Sequence, residues 1–543
     1  MRSAVVCCCV ALCWATVAAG TSFPPPDPHD PHCNHGHAGP TPAPPVRPLP
    51  RARPPIANRS FHSPAVERRL TELVQNRTWR DPELATLLWN TLPNTLDTTV
   101  WSYPTAAHPN NVSFVSTGDQ ASMYLRDSQN QVMPYVRFAA EEPDGIGLFL
   151  RGILRKYVDS VLLDPYANSF DFTAGDRRCN PGAWLKDNTT KIDPTTGARV
   201  DGMQLGVHQR KWEMDSLASV LKLSRLYWEA TSDPRPFGPR WRQAVALIVS
   251  TYRTMQQPLD PVNFTSVNYT FQTLTHEPKD TSAHGIGRNH RWTGMIRTLF
   301  LPSDDSPRLP YFVPANAFAV TELRGVAKLL RGLSPNGTIV SQDDEALAQE
   351  AEELAAEVDR GIRDWGIVTH SSGARVYAME VDGYGNYFFG DDANVPSLLA
   401  LPFYGYVAAA DRTYQATRAL LLSNKTNPYF YGCGSTADGC GFLGGIGSED
   451  ASGNAGLGRV WPLSLCTRLL TVAGNSAEAD AERLAILETL RESSGGTGLM
   501  HESYWFQDPS VYTRFWFAMA NSYAGEALLS LAENHPHLLF TDV

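Results

Sequence analysis

The residues able to do chemistry fall into separated polar segments, each rich in carboxylates, amides and aromatic rings. Ser116-Thr117-Gly118-Asp119 is followed by Tyr124-Leu125-Arg126-Asp127-Ser128. Lys211-Trp212-Glu213-Met214-Asp215 runs into an apolar stripe. Pro302-Ser303-Asp304-Asp305 precedes Pro314-Ala315-Asn316. Asp382-Gly383-Tyr384 precedes Asp391-Asp392-Ala393-Asn394. Met500-His501-Glu502-Ser503-Tyr504 precedes Thr513-Arg514-Phe515-Trp516. Taken singly, each has an ordinary structural use. Asp215 and Asp305 could cap helices, Arg126–Asp127 could be a surface pair, Asp391-Asp392 a turn and His501 a core histidine. Taken together they supply a surplus of carboxylate and ring. A glycosidic bond needs one carboxylic acid to protonate the leaving oxygen and one carboxylate to activate water or attack the anomeric carbon. Arg, Asp and Asn bind hydroxyl groups as donors and acceptors. The chain has no Gly-x-Ser-x-Gly elbow, no His-Glu-x-x-His and no Gly-x-x-x-x-Gly-Lys-Ser/Thr, so serine-hydrolase, zincin and P-loop chemistry lack their usual carriers. Asp304-Asp305 and Asp391-Asp392 are hard oxygen donors, but no calcium loop of EF-hand spacing contains them.

Helical stripes must position these segments. Leu347, Ala351, Leu354, Val358, Ile362 and Trp365 recur at three- and four-residue steps, and similar stripes run over 146–163, 215–231, 241–256, 316–333, 398–422, 477–493 and 514–533. Loops rich in Gly, Pro, Asn and Asp separate them. There is no βαβ alternation and no 30–50-residue repeat, which predicts a mainly α architecture with the chemistry on loops at one rim.

The 543 residues carry 46 Lys+Arg against 56 Asp+Glu, a net charge of -10, with 43% hydrophobic and 19% charged residues. That composition excludes a disordered chain and argues against nucleic acid as partner. Residues 1–20 have a charged start, a short apolar run and small residues before Gly20, the pattern of a secretory signal. An uncleaved Golgi anchor fits the same run. Residues 21–60 read as a Pro/His-rich disordered linker and 61–543 as a single domain. The linker's His29, His32, Cys33, His35 and His37 lack the spacing of a structural metal site. Asn-x-Ser/Thr sequons at Asn58, Asn76, Asn111, Asn188, Asn263, Asn268, Asn336 and Asn424 suit a glycoprotein that is secreted or lumenal. Cys433 and Cys440 bracket a Gly-rich loop, and a local disulfide is expected between them. No segment after the signal is apolar and long enough to span a bilayer.

Read in order, the stretches TGDQASMYLRDSQNQVMPY (117–135), WEMDSL (212–217), PSDD with PYFVPAN (302–316), YAMEVDGYGNYFFGDDANVPSLLALPFYG (377–405) and GTGLMHESYWFQDPSVYTRFWFAMANS (496–522) resemble glycoside hydrolase family 125, the metal-independent exo-α-1,6-mannosidases. The resemblance covers about residues 65–533. It implies an all-α (α/α)6 barrel with long active-site loops on one rim and an inverting mechanism without cofactor or metal. The substrate would be a terminal α-1,6-linked mannose on an oligosaccharide. It makes Asp215 the general acid and Glu502 the general base, with Arg126 and Asp127 binding the terminal mannose. Asp119, Asp304, Asp305, Asn316, Asp392, Asn394 and His501 are further candidates for the pocket, and Trp212, Tyr124 and Trp516 for stacking on the sugar. The chain departs from the family at Leu301, where Arg is usual, at Tyr124, where Trp is usual, and at Glu449-Asp450, where Pro-His is usual. These departures motivate two alternatives: a related glycosidase of other linkage preference, or an inactive glycan-binding protein.

Overall fold

The computed structural model describes residues 46–118, 122–172, 187–193, 195–259, 268–273, 283–333, 341–434, 443–449 and 458–542. Its helices are α1 (Pro64–Leu70), α2 (Pro82–Thr91), α3 (Asn94–Thr98), α4 (Leu125–Val132), α5 (Ile146–Leu163), α6 (Met214–Thr231), α7 (Pro239–Gln256), α8 (Val313–Gly332), α9 (Gln342–Gly361), α10 (Arg412–Leu421), α11 (Pro462–Leu470), α12 (Ala477–Glu492), α13 (Ala518–Asn534) and α14 (Pro536–Leu539). Most of the predicted stripes are helices close to their predicted bounds. The stripe over 398–422 is not one helix. Its first part makes turns, and only Arg412–Leu421 is helical. Gly405 sits at φ +77 there, and Val395-Pro396 is a cis bond just upstream.

The helices pack as two rows. α8, α6, α4, α13 and α11 lie side by side in that order. α9, α7, α5, α2 and α12 back them, α9 against α8, α5 against α6, α2 against α13 and α12 against α11. Every residue of α4 is buried, and so is nearly all of α13 and α11. The second row keeps one face wet, as in α9, where Ala348, Ala351, Leu354, Ala355 and Val358 are buried and the intervening acids are not. One continuous apolar core joins the rows.

The inner helices share a way of starting. A strand of two or three residues runs directly into each of α4 (Ser122–Tyr124), α8 (Tyr311–Phe312) and α11 (Arg459–Val460, one residue earlier). Val207–Gln209 lies just ahead of α6, and the hairpin Ser503–Trp505/Asp508–Thr513 just ahead of α13. The strands form small antiparallel sheets of two or three strands each. They modify the all-α expectation: the fold is helix-rich, and some of its strands lead directly into the inner row.

The linker expected over 21–60 is corrected at its end. Residues 46–55 are without helix or strand, as their prolines favour, a 3-10 turn follows at Ile56–Asn58, and the segment is docked. Leu49 and Ala52 are buried. The Ala52 N–H donates to Asn90 Oδ1 (2.9 Å), Arg53 Nε donates to Asp97 Oδ2 (2.7 Å), and Arg51 and Arg53 lie over the Trp89 ring. A proline count registers extension but not a buried ion pair. Residues 1–45, with the signal and the histidine cluster, lie outside the described residues.

Candidate active site

The leads into α4, α11 and α13 line a polar cleft at one rim. The start of α4 brings Tyr124, Arg126 and Asp127. The lead into α11 brings Trp461, and the lead into α13 brings Glu502, Arg514, Phe517 and, one turn in, Met519. Loops add Thr117, Pro302-Ser303-Asp304 and Asn394. Helix N-termini carry partial positive charge, and this one rim gathers several of them beside its carboxylates. Thr117 Oγ1 and Ser303 Oγ make no hydrogen bond within the protein, and Asp127 Oδ1 and Asp304 Oδ1 have only ion-pair contacts, each at 3.4 Å, to Arg126 Nε and Lys211 Nζ. Buried polar atoms are ordinarily paired, so a cleft edged with unpaired hydroxyls and with carboxylates held only by ion pairs suits a polyhydroxylated ligand.

Arg126 organises the floor. Its Nη1 donates to Glu213 Oε2 (2.5 Å) and to Asp215 Oδ2 (3.2 Å), and its Nε lies 3.4 Å from Asp127 Oδ1. Asp215 is 1% exposed and Glu502 3%. Asp215 is fixed beneath the cleft through Arg126, while Glu502 lines the cleft with its Oε1 3.3 Å from Arg514 Nε. Burial pushes the Asp215 carboxyl above its ordinary range, against the pull of Arg126. Burial lifts Glu213 well above its ordinary range as well, and nearby Asp304 and Asp215 add to the shift. Asp304 goes the other way. Its side chain is 42% exposed, and against partial desolvation Lys211 and Arg126 hold it below the usual carboxylate range.

Two of the charged groups sit on strained backbone. Asp304 has φ +68 and Arg514 φ +46, in the left-handed region that costs a side chain energy. The Lys211 ammonium donates to the Asp304 carbonyl (3.0 Å) and holds that turn.

The structure sorts the sequence candidates. Arg126, Asp127, Asp304, Asn394 and Glu502 line the cleft, as does Tyr124, and Asp215 adjoins it. Asp392 stands behind Asn394. Its Oδ1 accepts the Asn394 N–H (2.8 Å), its Oδ2 accepts from Ser448 (2.6 Å), and burial raises it to about 6. Trp516 is half-buried against Gly118, at the edge beside Thr117. Asp119 lies outside the described residues.

Four candidates are corrected. Trp212 is a core residue. Its ring packs on Tyr166 and Tyr252, and its Nε1 donates to the Arg297 carbonyl (2.9 Å). Asn316 is a backbone clamp whose amide donates to the Ile296 and Phe312 carbonyls and whose oxygen accepts the Ile296 N–H. Asn521 does the same for Met500 and Phe517. Asp305 is buried in the 301–305 turn, its carbonyl accepting the Leu301 N–H (2.8 Å). His501 stacks on Tyr512 at 3.6 Å and contacts the Arg514 and Ser494 carbonyls through its two ring nitrogens, so its ring orients the Arg514 turn rather than a sugar. Burial lowers its pKa.

Sequence reasoning missed Trp461, Arg514, Phe517 and Glu213 as site residues. Arg514 and Phe517 lay inside a quoted motif. Trp461 could have been found from Trp-Pro at the head of an apolar helix, where Pro occupies the first turn. Cys433 is disulfide-bonded and Cys466 is a buried free thiol; Cys440 lies outside the described residues. Asn58, Asn76, Asn111, Asn188, Asn268 and Asn424 are exposed, whereas Asn263 and Asn336 lie outside the described residues. Among the described residues, no helix is long and apolar enough to cross a membrane.

This helix-rich fold, with acids and an arginine at one polar cleft, belongs to the glycoside hydrolases. Residues 81–529 match the family model described as metal-independent alpha-mannosidase (GH125). The meiotically up-regulated gene 157 protein of Schizosaccharomyces pombe is 35% identical over 508 residues, which cover 90% of each chain. A solved structure from Streptococcus pneumoniae, a metal-independent alpha mannosidase in a non-productive complex with alpha-1,6-mannobiose, is 31% identical. The match has a TM-score of 0.73 and covers 88% of this chain and 100% of that one. The chain belongs to the GH125 family of α-mannosidases.

Proposed function

We propose that this protein removes non-reducing terminal α-1,6-linked mannose from oligosaccharides by an inverting, exo-acting hydrolysis that needs no metal. The observation that carries the reading is the Arg126 guanidinium, which lines the cleft shared with Glu502 and donates to Asp215. Asp215, its proton retained by burial, is the general acid that protonates the leaving oxygen. Glu502 is the base that takes a proton from water as the water attacks the anomeric carbon from the opposite face. Arg126, Asp127, Asp304 and Asn394 bind the hydroxyls of the terminal sugar, and Tyr124, Trp461 and Phe517 supply ring faces. The negative carboxylates favour the oxocarbenium-like transition state. The bacterial relative's complex with alpha-1,6-mannobiose supports the linkage. The two helical rows are read as part of an (α/α)6 barrel.

A chain with this leader and these exposed sequons is read as a glycoprotein of the secretory pathway, with a Cys433–Cys440 disulfide. Secretion of an endoglycosidase-sensitive form, and loss of the disulfide mass shift in Cys440→Ser, are the expected results. The test of function is hydrolysis of α-1,6-mannobiose in the presence of a chelator, with NMR of the first-formed anomer. β-Mannose first is expected, and α-mannose first refutes inversion. A second reading, altered linkage preference, is favoured by Glu449, which is bound by Arg308 together with Tyr429. Turnover of α-1,2 or α-1,3 mannobiose ahead of the α-1,6 isomer would select it. Binding of mannobiose without turnover would select the inactive glycan-binding reading.

A further inference from the structure

A second cavity, of about 570 Å³, opens toward the C-terminal ends of the inner helices. It is lined from α6, from α13, from the turn after α4 and from the 402–405 turn, and it shares no lining residue with the cleft. Lys222 lies on α6 about two turns beyond Asp215, and Glu526 lies on α13 about two turns beyond Met519. The 402–405 turn stands where the stripe over 398–422 fails to form helix, and it puts the half-buried Phe403 on the cavity wall.

Two polar groups of this cavity lack partners. Lys222 is 3% exposed, and its ammonium makes no hydrogen bond among the described residues. Its neighbours are rings, with Nζ 4.8 Å from the Tyr404 centroid, 5.0 Å from Phe403 and 5.6 Å from Phe318. Rings attract a cation, but they offer no lone pair to its N–H donors. Glu526 is 8% exposed. Its Oε1 accepts from Arg137 Nη2 (2.5 Å), whereas its Oε2 accepts from none of the described residues. Burial lowers the lysine to about 7, against the attraction of Glu322 and Glu526. Burial raises the glutamate, against that of Arg137 and Lys222.

Buried polar atoms are ordinarily paired, so the cavity suits a ligand that accepts from Lys222 and donates to Glu526. An anion meets only the first demand, and the Glu526 carboxylate repels it. The guanidiniums at the cavity do not offset that repulsion, because Arg137 is engaged by Glu526 and Glu533, and Arg225 by Glu322 and Glu229. A cation meets only the second demand. A hydroxyl meets both, since its oxygen accepts and its proton donates, and the C–H face of a sugar packs on an aromatic ring such as Phe403.

We propose that this cavity is a second sugar-binding site, separate from the catalytic cleft, in which hydroxyls of one hexose unit bridge Lys222 and Glu526 while its C–H face lies on Phe403. The inference goes beyond the hydrolysis proposed above and does not depend on it.

NMR of the protein labelled with carbon-13 in its methionine methyl groups separates the two sites, because Met133 lines this cavity and Met519 lines the cleft. The two signals are assigned from Met133→Leu and Met519→Leu. D-Mannose titrated into the wild-type protein should move Met133 saturably in the millimolar range. Lys222→Leu, which suits the surrounding rings, should abolish the Met133 response and leave that of Met519. Phe403→Ala should weaken binding at Met133 about tenfold, the scale of a ring contact with its buried area. A Met133 signal unmoved by D-mannose through the millimolar range overturns the proposal. A shift that survives in Lys222→Leu is relayed from elsewhere and overturns it too, as does a shift produced by acetate and not by mannose, which marks an anion site. Should Lys222→Leu fail to fold, Phe403→Ala decides, and an unchanged midpoint there counts against the site. Met133 moving while Met519 stays still refutes the sugar-binding role of the cleft and leaves the second site standing.

Discussion

The inner helices and three of the outer ones begin differently, while outer α5 and α7 start without a side-chain cap at Gly145 and Gly238. Outer α2, α9 and α12 are capped by Asp81, Ser341 and Ser476, each accepting a first-turn N–H. Inner α4, α6, α8, α11 and α13 start at Tyr124, Glu213, Phe312, Trp461 and Phe517, none of which places a side-chain cap. A missing cap leaves stability unclaimed. What stands at the uncapped ends of α4, α11 and α13 is the cleft. Where the outer helices are capped they use small polar side chains, whereas the starts of α4, α11 and α13 face one another across the cleft beside Arg126. Asp304 and Arg514 add left-handed backbone at the cleft, as Ser232 and Ala283 do elsewhere.

The sharpest break of this contrast is at the two acids. Asp215→Asn and Glu502→Gln should each lower kcat by roughly 10²–10⁴ with Tm held or raised, as expected for removal of a group acting on the proton in flight. Near-wild-type turnover in either would empty the inner rim of its proposed role. Next comes Arg126→Met, which strands Asp215 and Glu213 without their cation. It should cost about 3–5 kcal/mol of stability in addition to activity, read by chemical denaturation, the scale for breaking a buried ion pair from one side. A variant as stable as wild type would mean that the floor is not held by that pair.

A third test uses pH. Burial raises Asp391 to about 8, although it accepts the Leu398 and Leu399 N–H groups. A carboxyl raised above its unfolded value holds a proton that the unfolded chain releases, so its contribution is full below about pH 4 and is lost as pH rises toward 8. Asp391→Asn should flatten the fall of Tm over that window, and an unchanged slope would contradict it. The smallest effect belongs to the outer rim. Ser341→Ala and Ser476→Ala should each cost about 1 kcal/mol, with kcat and KM unmoved. A change in kcat from either would erase the division between the rims.

Sequence alone determined the helices, because an apolar stripe with a period near 3.6 has few alternatives over 16–20 residues, as in α5, α9 and α12. It also located Arg126, Asp127, Asp215, Asp304, Asn394 and Glu502, whose motifs are long and ordered. It did not separate contact from support. Asn316 and Asn394 are the same residue type in similar company, yet one clamps the Ile296 backbone and the other lines the cleft. Trp212 sits three residues from Asp215, but the helix start turns its ring into the core while Arg126 reaches Asp215 from another helix. The two- and three-residue strands ahead of the inner helices were too short to show a period, and the docking of Arg53 on Asp97 depends on residues 44 apart in the chain. Local pattern sets which residues form a helix, because that free energy is local. Which side chain faces the cleft depends on how helices distant in sequence come together, and that only the tertiary structure decided.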